Sequence, residues 1–270
     1  MLFKSEGINR LSIGVQSFFE EHLTWMNRAH NAKESLQCLQ WAKEIGFENI
    51  TIDLIYGIPQ MTDAQWEENI DTALSLNIPH ISAYNLTVEE KTVLAHQIKK
   101  GTSKALSDSQ GERNFLVLQE KLKDANFVHY EISNFGQQPF FSKHNTSYWQ
   151  GKKYLGVGPS AHSFDGKSRA WNIANNALYL KGIETGKVPL TSETLSSKDL
   201  VNEHLMIGLR NIWGCAWEYL ENCGEDLATL KTQVSALIKD GKLVATHEGF
   251  KTTTKGLLFA DGMASELFLD

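Results

Sequence analysis

Cysteine is too sparse in this chain to build a metal centre alone. The three present, Cys38, Cys215 and Cys223, are widely dispersed. Structural zinc usually draws on close pairs such as C-x2-C, because four ligands must converge on one ion. An iron–sulfur cluster needs about three or four thiolates. Cys38 falls inside an amphipathic helix pattern, where a buried free thiol is expected. Cys215 and Cys223 are separated by seven residues and have no histidine near them in sequence. None of the three is expected to ligate metal, and their spacing does not fit a secreted disulfide scaffold. An excess of positive charge is also missing. Lys and Arg number 26 against 32 Asp and Glu, a net charge of −6, which excludes a nucleic-acid binder working through a broad basic face. No apolar run approaches the roughly 18 residues that cross a bilayer. Met1 to Arg10 lack the apolar core of a signal peptide. Cytoplasm is the expected compartment.

What remains is ordinary globular composition, 41% hydrophobic and 21% charged, enough for one large α/β body and a smaller appended domain. Leu11 to Val15 reads as a strand. A helix over Asn31 to Ile45 has Asn31 as its cap with Glu34 three residues on. Its apolar positions are Ala32, Leu36, Leu39 and Ala42, and Gly46 stops it. Ile50 to Tyr56 is the next strand. Thr62 and Gln65 form a capping box opening a helix with Trp66, Ile70 and Ala73 on one face. Ile78 to Leu86 supplies a third strand. Strand and helix in alternation with short loops signify a parallel sheet. Three parallel strands alone leave two long edges unpaired, so further βα units are expected upstream of Met1.

Ser107 with Gln110 caps a long helix carrying Phe115, Leu118, Leu122 and Ala125, and Phe127 to Ile132 follows as a strand. Residues 134–172 form an aromatic- and glycine-rich stretch of little periodicity, and long irregular segments of that kind commonly carry function. After Pro189, one helix is marked by Val201, Leu205 and Leu209. Another is marked by Leu227, Leu230, Val234 and Leu237 and ends at Gly241. Leu243 to Thr253 reads as a hairpin turning near Glu248-Gly249, with a last helix beyond it. This order outlines a winged helix. Its lysines, Lys231, Lys239, Lys242, Lys251 and Lys255, are offset by Asp226, Asp240, Glu248, Asp261 and Glu266. No basic recognition helix emerges, so a lid or protein-docking role is expected rather than nucleic-acid binding.

Ligands of parallel α/β folds gather at the carboxyl ends of strands. Gln16 directly follows the first strand, and Asp53 interrupts the otherwise apolar Ile52-Asp53-Leu54-Ile55. A carboxylate inside a strand is costly unless hydrogen-bonded. Ligand hydroxyls or an ammonium group satisfy it, as does an internal salt bridge. Arg28, after a short Glu20–Asn27 helix, has the fork geometry that suits a ligand carboxylate, although a surface arginine is the plain alternative. Gly156-Val157-Gly158-Pro159-Ser160-Ala161 superficially fits a dinucleotide fingerprint. That motif needs a strand before it and a helix within it, and Pro159 followed by His162 to Gly166 predicts a loop instead.

The segments GINRLSIGVQSF, MNRAHN, NITIDLIYGIPQMT and ISAYNLTVEE closely resemble the second half of the radical S-adenosylmethionine (radical SAM) barrel in the oxygen-independent coproporphyrinogen III oxidase superfamily. The likeness runs on through YEISNF, HNTSYW and YLGVGPSAHS to the winged-helix-like tail, and so covers essentially the whole chain. It implies an α/β fold, the C-terminal part of a partial (β/α)6 barrel followed by a small winged-helix-like α+β domain. The segments so divided are 1–95 (barrel), 96–188 (barrel extension and heme motif) and 189–270 (winged helix). It also implies that Gln16, Arg28 and Asp53 contact S-adenosylmethionine, with Ile55 on the adenine side.

His144-Asn145-Thr146-Ser147-Tyr148-Trp149 matches the H-N-x-x-Y-W motif of HemW-type heme chaperones rather than that of the true oxidases. A neutral imidazole is a standard axial ligand of heme iron, and Tyr148 and Trp149 suit a porphyrin face. The bland alternative is a structural histidine among core aromatics. The resemblance implies heme contact by His144, Asn145 and Tyr148, with His144 as the iron ligand and His162 as a weaker candidate. It implies heme and acceptor hemoproteins as partners, with peripheral membrane association through the acceptors. It further implies a [4Fe–4S] cluster held on a C-x3-C-x2-C motif upstream of this chain. By itself, then, this chain is not expected to perform radical chemistry. The rival enzyme reading is an oxygen-independent coproporphyrinogen III oxidase of heme biosynthesis, and a winged-helix nucleic-acid adaptor is the third.

Overall fold

A computed structural model describes residues 2–187 and 189–270. They divide into two compact units, Met1–Phe141 and Ser142–Asp270.

In the first unit a short helix α1 (Leu2–Ser5) precedes β1 (Arg10–Gln16), α2 (Glu20–Trp25), α3 (Ala32–Glu44), β2 (Asn49–Tyr56), α4 (Asp63–Ser75) and β3 (His80–Asn85). After these come α5 (Val93–Lys99), α6 (Asp108–Asp124), β4 (Val128–Glu131) and β5 (Asn134–Gly136). The capping boxes read from sequence form. The side chains of Asn31 and Thr62 accept from the amides of Glu34 and Gln65, which return the bond. Each satisfies two otherwise orphaned donors of the first helical turn.

One sheet runs β1-β2-β3-β5-β4. β1, β2 and β3 are parallel, as expected, but β5 lies antiparallel on β3 and carries β4 with it. The expectation of two open edges therefore fails at β3, because the chain reverses at 132–133 and covers that edge with its own hairpin. Ile50, Ile52, Leu54 and Tyr56 of β2 are buried on one face. Tyr56 stands 5.3 Å from Trp66 of α4 and 6.5 Å from Phe115 of α6, ring to ring. Burial of such side chains, at about 25 cal/mol per Å2 of apolar surface, is the main favourable term for the layer. The other face of β2 carries Thr51, Asp53 and Ile55.

On α3 the buried positions are Ser35, Leu39 and Ala42. Leu36 and Cys38 are exposed. The apolar stripe sits one position away from where Leu36 was placed, and the buried thiol expected at Cys38 faces solvent.

The second unit contains α7 (Lys143–Trp149), β6 (His162–Phe164), β7 (Ser168–Asn172), α8 (Asn176–Glu184), β8 (Leu190–Thr194) and α9 (Ser197–Gly208). It continues with β9 (Cys215–Ala216), α10 (Trp217–Asn222), α11 (Ala228–Lys239), β10 (Leu243–Ala245), β11 (Gly249–Thr252) and α12 (Ala260–Leu267). The irregular stretch expected at 134–172 thus holds a helix and three strands, and His162–Phe164, read as loop, is a strand paired with β7. The elements there are too short for periodicity to reveal. The winged-helix outline holds, with β10, β11 and β9 forming a small antiparallel sheet. Val201, Leu205, Leu230, Val234, Phe250, Met263 and Leu267 share its core. Among the described residues, no helix is long and apolar enough to cross a membrane.

Candidate functional site

β1 ends in a turn that no periodicity argument foresees. Gln16 adopts a left-handed conformation, φ +67°, which is unfavourable for a residue with a Cβ. The register to β2 shifts between Ile13 and Gln16. Gln16 is buried, and its side chain folds back over Gly14. A Cβ built on Gly14 would stand 2.6 Å from Gln16 Nε2 and 3.6 Å from a terminal nitrogen of Arg28. Glycine at position 14 is what leaves room for the Gln16 amide, with the Arg28 nitrogen in ordinary contact distance beside it. Gln16 and Arg28 therefore both lie against Gly14.

Asp53 faces Ser82 across the β2–β3 pairing, and Ile55 faces Tyr84. Burial pushes the Asp53 carboxyl above its ordinary range, opposed by the neighbouring Ser82 hydroxyl and the charge of Arg28. Asp53 is thus tied electrostatically to Arg28 and shares its face with Ile55. A partly desolvated carboxylate, a guanidinium, a primary amide and an apolar flank converge in this way. Such a set can take a polar ligand with both a carboxylate and neighbouring hydroxyls or an ammonium group.

Behind Asp53 lies support that the sequence reading missed. Ser82 Oγ donates to Asn134 Oδ1 at 2.6 Å, and Asn134 Nδ2 donates to Glu131. All three are buried. The signal was present in the sequence as polar residues set into the apolar runs ISAYN and YEISN.

The second predicted cluster lies in the other unit. Ser142 caps α7, its side chain accepting from the amide of Asn145 at 3.4 Å. One turn apart, His144 and Tyr148 meet edge to face, 5.0 Å between centroids at 88°. Tyr148 continues to Tyr154 at 4.8 Å, and Tyr154 to Phe164 of β6 at 6.1 Å. His144 is exposed and Tyr148 is 41% exposed, so this is not a histidine buried among core rings. Asn145 is half-buried. His162 sits on β6 opposite Trp171, 6.0 Å ring to ring, outside that ladder.

The glycine-rich loop at 156–161 has its polar backbone occupied. Gly156 N donates to Ser163 Oγ at 2.9 Å and Gly158 N to Tyr179 at 3.0 Å. Asn172 Nδ2 donates to both glycine carbonyls, at 3.3 Å and 2.9 Å. No helix begins within it, so it lacks the amide array that cradles a phosphate.

A family profile described as the radical SAM superfamily matches residues 1–73. The heme chaperone HemW of Lactococcus lactis is 31% identical over 266 residues, covering 97% of this chain and 70% of that protein. The heme chaperone HemW of Bacillus subtilis is 33% identical over 249 residues, covering 92% and 66% respectively. The mitochondrial radical S-adenosyl methionine domain-containing protein 1 of Bos taurus is 28% identical over 279 residues, covering 98% and 63%. The chain spans about two thirds of the length of these relatives. Among solved structures, coproporphyrinogen III oxidase (HemN) from Escherichia coli matches with a TM-score of 0.74 at 22% identity, covering 98% of this chain and 65% of that one. At that identity the two share a fold.

Proposed function

Because the chain belongs to the HemW family of radical SAM proteins, we propose that it takes part in holding heme and passing it to acceptor hemoproteins, membrane-associated acceptors included. The observation that carries this reading is the exposed His144–Tyr148 pair on a capped helix. It offers an imidazole to iron and aromatic surface to a flat macrocycle. Asn145 on the same helix is read as a polar contact to heme. We assign residues 1–95 to the barrel, 96–188 to its extension with the heme motif, and 189–270 to the winged-helix region.

Gln16, Arg28, Asp53 and Ile55 are read as the contacts to S-adenosylmethionine, and the residue types fit that ligand. Arg28 and Gln16 suit its carboxylate, Asp53 suits hydroxyl or ammonium donors, and Ile55 suits the edge of a base. When bound beside a reduced cluster, that cofactor supplies a radical precursor. The chain's own thiols do not fit a cluster. Cys38 is exposed on α3, and Cys215 is buried in the other unit with its thiol pushed up by burial.

Titrating heme into the parent chain and into His144→Ala tests the reading. Loss of the Soret shift in the variant is expected, and unchanged binding removes His144 from the site. Decarboxylation of coproporphyrinogen by the full-length, cluster-loaded protein would overturn the chaperone assignment in favour of the oxidase.

A further inference from the structure

The left-handed turn at Gln16 is held from behind by a knot of polar side chains that no ligand contact explains. Ser17, His22 and Asn69 are all fully buried. Ser17 Oγ lies 2.9 Å from His22 Nδ1 and donates to Asn69 Oδ1 at 3.2 Å. The same hydroxyl oxygen accepts from the amide of Phe19 at 3.1 Å. Phe18 N donates to Asn69 Oδ1 at 2.7 Å, and Asn69 Nδ2 donates to the carbonyl of Gln65 at 3.0 Å. The Ser17 hydroxyl and the Phe18 amide are thus tied directly to α4, and the Phe19 amide is tied to it through Ser17.

The loop bearing Arg28 is tethered to the same place. His22 belongs to α2, which ends where that loop begins, and Arg28 N donates to Leu23 O at 2.9 Å. His30 Nε2 reaches back to the carbonyl of Val15 at 3.2 Å. Three buried polar side chains are expensive unless each is hydrogen-bonded, and apolar residues would fill the same volume at less risk. A network of this kind specifies one geometry. The geometry at stake is an unfavourable backbone conformation, which persists only where its surroundings over-determine it.

We propose that Ser17, His22 and Asn69 are positioning residues, fixing the Gln16 turn and the Arg28 loop in the one arrangement in which both side chains reach the same ligand. The proposal rests on the reading of Gln16 and Arg28 as contacts to the S-adenosyl ligand. Ser17, His22 and Asn69 themselves act only through those two residues.

The test has one arm with ligand and one without. S-Adenosylhomocysteine, an unreactive probe, is titrated calorimetrically into the parent chain and its variants. Asn69→Ala and Ser17→Ala are expected to weaken binding about tenfold or more, the scale on which outer-shell support usually acts. Asn69→Asp keeps the oxygen that accepts from Phe18 and Ser17 but sets a second oxygen against the carbonyl of Gln65, and so recovers the affinity only in part. In a Gln16→Ala background, Ser17→Ala costs less than it does in the parent, because part of its effect runs through Gln16. Parent-like affinity in both Ser17→Ala and Asn69→Ala, or fully additive losses, overturns the proposal.

Without ligand, Ser17→Ala and Asn69→Ala should speed amide exchange at Phe18 and Phe19 and shift the side-chain NMR signals of Gln16 and Arg28. Unmoved signals in a folded Ser17→Ala overturn the positioning role whatever binds. Should Asn69→Ala not fold, Ser17→Ala and Asn69→Asp carry the same comparison. A parent that binds no probe while the exchange arm behaves as expected sinks the ligand reading and leaves the positioning of Gln16 and Arg28 standing.

Discussion

Nε2 of His80 and the hydroxyl of Tyr130 meet at 2.7 Å inside the sheet of the first unit, while His80 Nδ1 lies 3.1 Å from Thr51 Oγ1. Arg10 closes the network, bonding Asn49 and Thr51 and donating to the carbonyl of Phe140 at 3.0 Å. His80 is only 1% exposed. Burial, helped by the Arg10 charge, lowers its pKa to about 3, so the ring is neutral in the folded protein.

That neutrality makes stability fall in acid. In the unfolded chain His80 takes a proton near pH 6.5, whereas in the folded chain it resists until far lower. The unfolded state therefore binds more protons between those values, and stability is complete above about pH 6.5 and is lost as pH falls toward about 3. At pH 5 the loss from this residue is about 2 kcal/mol. His129, held down to about 4 by burial, adds to it in the same unit. Urea midpoints at pH 7.5 and pH 5 check this. His80→Gln should flatten the dependence, and an equal slope in that variant would refute the assignment.

Asp53 has the opposite sign. Its carboxyl is raised by burial, so the folded state disfavours the charge and a penalty appears as pH rises through the folded value. Asp53→Asn is expected to leave the thermal midpoint at pH 7 unchanged or higher, while weakening S-adenosylhomocysteine binding about tenfold. A variant that loses stability in step with affinity would mark Asp53 as a structural residue.

Much of this was legible and some was not, for identifiable reasons. Asn31 with Glu34 and Thr62 with Gln65 announce helix starts by local chemistry, and both boxes close. The apolar runs of β2 and β3 are long enough to declare a parallel sheet. β5 is only three residues long, and its antiparallel return depends on a tight reversal at 132–133 rather than on pattern. On α3 the stripe through Ser35, Leu39 and Ala42 includes a serine, so a search for apolar residues drifts to Leu36. The placement of the Gln16 amide beside Arg28 at Gly14 depends on a single positive φ and on the absence of a side chain at Gly14 to block that amide. Neither property has a periodicity.

The cysteines differ enough in environment to be told apart chemically. Cys38 is exposed, Cys223 is half-buried with its thiol raised by burial, and Cys215 is 2% exposed and raised further. Reaction with a thiol reagent at pH 8 should label Cys38 rapidly and Cys223 slowly. Cys215 should react only after denaturation. Rapid labelling of Cys215 in the native protein would contradict its place in the core of the second unit.

A pair of glycines separates tight packing from open space in that unit. Gly249 begins β11, where a Cβ would lie 1.9 Å from the carbonyl oxygen of Cys215 on the neighbouring strand β9. The obstacle is backbone, which cannot swing aside as a long side chain does. Gly249→Ala must therefore push β9 and β11 apart beside the contact of Phe250 with Trp217, whose rings are 4.8 Å apart. A loss of about 1–3 kcal/mol is expected, the usual cost of overpacking. Gly262, inside α12, has nothing within 4 Å of its added Cβ. There, Gly262→Ala should gain up to about 1 kcal/mol, because alanine has less backbone freedom to lose on entering a helix. Urea unfolding followed by tryptophan fluorescence measures both. The sheet of the winged-helix region is as tight as described if the two substitutions move the midpoint in opposite directions, and a neutral Gly249→Ala would refute it.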